Sequence, residues 1–312
     1  MNLGVKMRRA LLLSTILCWL FPNVWCSAAE RVAASVVFSS DIEPYQHAWS
    51  GFEEFFSEKK VPLWVSEYNL KEEEPAKICS QINKERPDIV VTLGTKASKL
   101  AKENITEIPV VFCMILNPQK MVGSNITGVS MEIPTKIKIK GIKEILPDAK
   151  NIGLIYSPGS KADYQEISWV YGQRGFKLVT RKVGSEEELA GALKEISGEI
   201  DCFLMIPDSK IYSPISVKHL LIQSLREEFP VIGLSSLYTK AGALFSFDCH
   251  YQDLGRQAAG ITLRILNGEK PGDIAPLMPK KAKLSLNLAT AERLRLRIPS
   301  QIVEEAEEVF GK

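Results

Sequence analysis

Histidine and cysteine are scarce in this 312-residue chain, and the residue clusters that carry most enzyme chemistry are missing. The three histidines, His47, His219 and His250, stand far apart. No H-E-x-x-H or C-x-x-C occurs, and no His, Cys or carboxylate groups visibly converge, so no metal site is expected. A G-x-S-x-G elbow is absent and no nucleophile–base pair stands out, which leaves acyl and phosphoryl transfer without support. No G-x-G-x-x-G follows the first β-rich run, and Gly94-Thr95-Lys96-Ala97-Ser98 lacks the spacing of a phosphate loop. No cofactor is expected. An excess of one charge is lacking too, with 39 Lys+Arg against 37 Asp+Glu. The small positive balance comes from Lys6, Arg8 and Arg9; without residues 1–29, 36 basic residues face 37 acidic ones, a net charge of −1. Nucleic acid is therefore not an expected partner.

Residues 1–29 differ from the rest. A basic start leads into the apolar stretch 10–25, then the small residues Ser27, Ala28 and Ala29, with no acid before Glu30. This is the pattern of a secretory signal peptide, and it predicts an exported or periplasmic protein. An uncleaved anchor is the alternative, but the apolar stretch is shorter than the ~20 residues that span a bilayer. Lipid attachment at Cys26 is disfavoured by bulky Trp25 before it, where a small residue is usual. Beyond this segment remain Cys79, Cys113, Cys202 and Cys249, whose spacings define no pairing. Cys113 and Cys202 fall in expected core strands, which suits buried free thiols.

Composition is otherwise that of a globular chain, 45% hydrophobic and 24% charged, and its length suggests two domains. The organising stretch is 86–118, RPDIVVTLGTKASKLAKENITEIPVVFCMILNP. A β-rich run at 88–93 ends in Gly94-Thr95, a helical spacing follows at 96–102, and a second apolar run at 110–116 stops at Asn117-Pro118. Strands apolar on both faces and joined by a helix make a parallel βαβ unit. With strands at 32–38 and 63–68 and helices at 44–60 and 75–84, the first part reads βαβαβαβ. Residues 123–131, GSNITGVSM, are polar and glycine-containing and suit a crossover between domains. A second series follows, with helices at 135–146, 162–173, 186–197 and 214–228 and strands at 151–156, 177–183, 201–206, 230–234 and 243–247. A helix at 254–266 is closed by Asn267-Gly268, and a short strand is expected at 284–288. The predicted fold class is α/β, with two doubly wound parallel-sheet lobes joined by a hinge.

Ligands of open α/β sheets collect at the carboxyl ends of the strands. In this chain every expected strand stops at a small or polar cluster, so two polar rims should face one another across a cleft. The candidate ligand-binding residues are Ser40, Tyr45, Thr95 and Asn117 on the first rim, and Ser157, Asp208, Ser235 and Asp248 on the second. Tyr45 has a ring to cover a ligand, or packs under its loop. Thr95 opens a helix, where backbone donors favour an anion, or simply caps it. Asp208 could take an ammonium or cap the following turn, while Asp163 at its helix start suits solvent.

The motifs RPDIVVTLGTKAS, IPVVFCMILNP, NITGVS, ILPDAKNIGLIYSPGS, the Pro207-Asp208-Ser209 strand end, YQDLGRQAAGITLRILNGEKP and LSLNLATAERLRLRIP, in this order, resemble one family. The chain looks like an ABC transporter substrate-binding protein of the type I periplasmic-binding fold, similar to tryptophan- and tyrosine-type importer binding proteins. The resemblance spans nearly all of 31–310. With the signal peptide read above set apart at 1–29, it implies one lobe from 30–120 plus 249–275, and a second from 121–248 plus 276–312. It also implies three crossings, closure on a small molecule, possession of no catalytic residues, and partnership with a membrane permease and its ATPase. Thr95 matches the family's Gly-Thr turn and Asp208 its acidic strand-end residue. The chain departs where members often carry Glu-x-Asn-Ser, having Ser157-Pro158-Gly159-Ser160, and where they carry Asp before a tyrosine, having His250 before Tyr251. Two rival functions are a ligand-sensing receptor for a membrane kinase and a periplasmic enzyme on a flavodoxin-like scaffold.

Overall fold

The computed structural model describes residues 31–159 and 164–312. The export segment with Cys26, and residues 160–163 with the expected helix start at 162 and Asp163, lie outside them. In chain order the elements are β1 (Val32–Phe38), α1 (Glu43–Glu58), β2 (Leu63–Asn69), α2 (Pro75–Glu85), β3 (Ile89–Leu93), α3 (Thr95–Asn104), β4 (Val110–Ile115) and β5 (Ile126–Ser130). There follow α4 (Thr135–Ile145), β6 (Asn151–Tyr156), α5 (Tyr164–Gly172), β7 (Lys177–Lys182), α6 (Leu189–Ile196), β8 (Cys202–Leu204), α7 (Pro214–Arg226), β9 (Val231–Gly233), α8 (Ser236–Ala241) and β10 (Phe245–Cys249). The chain closes with α9 (Tyr251–Leu266), β11 (Ala282–Asn287), α10 (Leu288–Arg293), α11 (Ser300–Glu305) and β12 (Glu308–Phe310).

These strands form two sheets with one repeated order. The first runs β2-β1-β3-β4-β5, all parallel. The second runs β7-β6-β8-β9-β10, also parallel, and is extended by antiparallel β11 and by β12. In each sheet the order reverses beside its first strand, and the crevice at such a switch point opens at the carboxyl ends. The α/β two-lobed fold is as expected.

Successive residues of a strand point to opposite faces, and both faces are covered, so the strands are apolar throughout. On β1, Val36 and Phe38 join Trp49, Phe52 and Phe56 of α1 and Leu254, Ala258 and Ala259 of α9, whereas Val37 faces Ile78 and Ile82 of α2 and Ala97 and Ala101 of α3. In the second sheet α4 and α5 cover one face and α6 and α7 the other. Cys79, Cys113, Cys202 and Cys249 are buried and unpaired.

The expected crossover at 123–131 is instead largely strand β5 of the first sheet. Ile126 and Val129 are buried, and Gly128 is required because a Cβ there would lie 1.9 Å from the Phe112 carbonyl oxygen of β4. The passage between sheets comes later, through Met131 to Pro134. The last strand of the parallel series is Phe245–Cys249 rather than 243–247, so Asp248 lies within it. From there the chain returns to the first sheet as α9, packed on α1 so closely that Gly255 meets the Ala48 backbone and Gly51 meets that of Gln252. A third passage follows Leu277, which brackets β5 by donating to Gly128 O at 2.9 Å and accepting from Ser130 N–H at 2.8 Å.

Candidate functional site

A cavity of about 430 Å³ lies between the carboxyl ends of the two sheets, beside these passages. The first sheet supplies Leu116 and Asn117, the first passage Met131 to Ile133, and the second sheet the ends of β8, β9 and β10. Its walls are chiefly apolar, with a few polar groups, the usual character of a small-molecule site.

Local backbone features aim several of these groups. Where β4 nears the cavity its register shifts between Cys113 and Ile115, and Met114 has φ 61°. Bulges of this kind re-aim strand ends beside functional sites. Asn117, just past the strand, is also left-handed at φ 54°, a conformation asparagine tolerates. On the opposite side the Tyr251 hydroxyl donates to Asp248 Oδ1 at 3.0 Å, and the Cys249 N–H donates to the same oxygen at 2.7 Å. Burial, with the Asp248 carboxylate alongside, raises the Tyr251 phenol above its usual range. Burial likewise pushes the Cys249 thiol up to about 12, and this thiol donates to Met131 O at 3.0 Å, linking two of the passages.

The candidates from the sequence divide into groups. Asn117, Ser235 and Asp248 line the cavity together. Ser157 and Asp208 are brought to each other outside it: Ser157 N–H and Oγ–H donate to the two Asp208 oxygens at 2.8 and 3.0 Å, and Lys210 N–H donates at 3.1 Å. This buried carboxylate thus ties the end of β6 to the turn after β8. Of its two expected roles, the structure displays capping.

Tyr45, Thr95 and Ser40 belong to the first sheet's switch point, between the ends of β1 and β3. The Tyr45 hydroxyl bonds Ser39 and covers Gly94, where a Cβ would come within 2.1 Å of that oxygen. Burial raises the phenol, with the Ser39 bond opposing. Ser39 Oγ accepts the Ala97 N–H at 2.9 Å, so Ser39 serves the α3 N-terminus, while Thr95 is exposed and Ser40 half-buried. None of Ser40, Tyr45 or Thr95 lines the cavity.

Sequence reasoning passed over Lys138 and Tyr171 and did not single out Glu132 or Phe247, all of which line the cavity. Lys138 carried a signal: it precedes the buried Ile142 and Ile145 by four and seven residues, a slot where an apolar side chain would continue the α4 stripe. Burial lowers its ammonium pKa, and nearby Glu132 and Cys249 oppose that shift. Tyr171 is 2% exposed and its hydroxyl has no partner among the described residues. No group of three or more His, Cys, Asp or Glu among the described residues could hold a metal ion.

Comparison with known proteins gives this geometry a context. The family model described as ABC transporter substrate binding protein matches residues 53–310. A tyrosine-binding protein of Clostridioides difficile is 21% identical over 231 residues, covering 70% of this chain and 66%, just under two thirds, of the relative. Among solved structures, the ligand-free, open form of a substrate-binding protein with adhesive properties from Clostridium difficile has a TM-score of 0.76 at 18% identity, covering 90% of this chain and 100% of that one. An ABC domain in complex with L-Trp from Streptococcus pneumonia gives 0.64 at 21% identity, with the same coverage. At these identities the structural likeness speaks for the fold.

Proposed function

The chain belongs to the family of ABC transporter substrate-binding proteins, and from that premise we propose that it is the exported solute-binding component of an ABC importer. It takes up a small organic molecule, an amino acid or a related compound, between its lobes and delivers it to a membrane permease and its ATPase. The observation that carries this reading is the cavity itself: both sheets contribute their carboxyl ends to one apolar space holding Asn117, Lys138, Ser235 and Asp248. A ligand that touches both walls stabilises the closed arrangement by the difference in its contacts between the two states. We assign residues 31–130 and 251–277 to one lobe, and 135–249 and 282–312 to the other. The relatives named for tyrosine and for L-Trp make aromatic amino acids natural first probes.

Thermal shift against amino acids, organic acids, sugars, nucleosides and oxyanions tests the proposal. One class should raise Tm in a concentration-dependent way, and Asp248→Ala should weaken the effect. A protein that no solute stabilises, or that converts the compound it binds, contradicts the receptor function.

A further inference from the structure

The polar groups of the cavity are not balanced. Asp248 already receives two donors on Oδ1, from Tyr251 and Cys249. Glu132 is exposed to solvent. Asn117, Thr135 and Ser235 are neutral. Lys138 is partly buried, and its side chain makes no hydrogen bond or ion pair among the described residues, although the Glu132 and Cys249 groups that influence its ammonium line the same cavity. Lys138 is the one cation among these groups and the one charged group without a hydrogen-bonded partner that is not exposed, and it stands among Leu116, Ile133, Ile206 and Phe247.

We propose that Lys138 is the anion-binding group of this cavity, and that the cavity selects small monocarboxylates with apolar bodies without requiring an ammonium group on the ligand. The inference rests on the receptor function proposed above and names the chemistry of its ligand. An ammonium enclosed with no counter-ion is costly. A neutral or cationic ligand covering the site would leave Lys138 without a hydrogen-bonded partner, with exposed Glu132 and already hydrogen-bonded Asp248 as its carboxylate neighbours in the cavity, whereas a ligand carboxylate answers it with a charge-assisted hydrogen bond. Selection therefore comes from the penalty on the wrong ligand as well as the gain from the right one. Burial lowers the lysine pKa, in keeping with a group that lacks its partner until ligand arrives.

Calorimetry on the purified protein with matched probes tests this. L-tryptophan, indole-3-propionate and tryptamine share an indole and carry both charges, the carboxylate alone and the ammonium alone; tyrosine, 3-(4-hydroxyphenyl)propionate and tyramine form a parallel set. Aliphatic monocarboxylates, neutral sugars and nucleosides complete the panel. At least one carboxylate should bind, its desamino form within about 10-fold of any amino acid counterpart, and the matching amine not at all. Lys138→Met should weaken carboxylate binding by about 10- to 100-fold, and Lys138→Arg should retain most of it. Should Lys138→Met not fold, the comparison of probes on the wild-type protein decides. Tighter binding of the amine, a neutral best ligand, or carboxylate binding unchanged in folded Lys138→Met overturns the inference while leaving the receptor function standing. No binding by any compound overturns both.

Discussion

Gly255→Ala and Gly260→Ala add the same methyl group to the same helix, α9, yet the packing predicts effects of opposite sign. A Cβ on Gly255 would lie 1.6 Å from the Ala48 carbonyl oxygen and 2.7 Å from its carbon. Both atoms belong to the backbone of α1, so no side chain can rotate away, and the helices must part by roughly 2 Å to restore ordinary carbon–oxygen contact. Parting loosens the buried layer of Trp49, Phe52, Leu254 and Ala258. Overpacking of this kind costs about 1–3 kcal/mol and sometimes more, against about 1 kcal/mol returned by alanine's helix propensity. A Cβ on Gly260 meets nothing within 4 Å, so there only the propensity gain remains. Urea unfolding should show Gly255→Ala less stable by about 1–2 kcal/mol, the upper part of the overpacking range less the propensity gain, and Gly260→Ala more stable by about 0.5–1 kcal/mol. Because α9 begins at Tyr251, on the cavity wall, Gly255→Ala should also weaken ligand binding while Gly260→Ala leaves it unchanged. Shifts of the same sign, or a neutral Gly255→Ala, would refute the close approach of these helices.

The other predictions concern the site. Asp208→Ala removes the acceptor of three bonds and leaves buried Ser157 donors unanswered; urea unfolding should register a loss of about 1–3 kcal/mol, with any surviving ligand affinity close to wild type. Tyr251→Phe deletes the hydroxyl donor to Asp248 Oδ1, and calorimetry should show ligand affinity weakened by about 3- to 10-fold. For Lys138 the folded pKa lies below the unfolded one, so between the two values the unfolded chain holds the extra proton and ligand-free stability rises with pH. Carboxylate affinity falls across the same window as the ammonium is lost. Denaturation and binding measured against pH should show these opposite trends, and Lys138→Met should show neither contribution.

Most of the fold was legible because strand interiors and strand ends have distinct chemistry. Runs such as residues 89–93 and 110–115 are buried on both faces, and each gives way to glycine, asparagine or proline where the chain turns. β5 was not legible. Its short run contains Gly128, which only the proximity of Phe112 on another strand explains, and it begins beside the polar stretch 123–125. The cavity was less legible than the sheets. Asn117, Ser235 and Asp248 could be placed at strand ends from local pattern alone. Lys138 and Tyr171 sit on helices, where periodicity locates a face but not the space it meets. Their convergence with β10 depends on how the passages lay the two sheets together. Ser157 and Asp208 show the converse: both were rightly placed at strand ends, and they bond one another.

A crystal structure of the protein with its tightest-binding solute is the most direct test. Ligand density should fill the cavity between the sheets, with polar contacts to Lys138 and to at least one of Asn117, Ser235 and Asp248. Density elsewhere on the chain, with this cavity empty, would contradict the account.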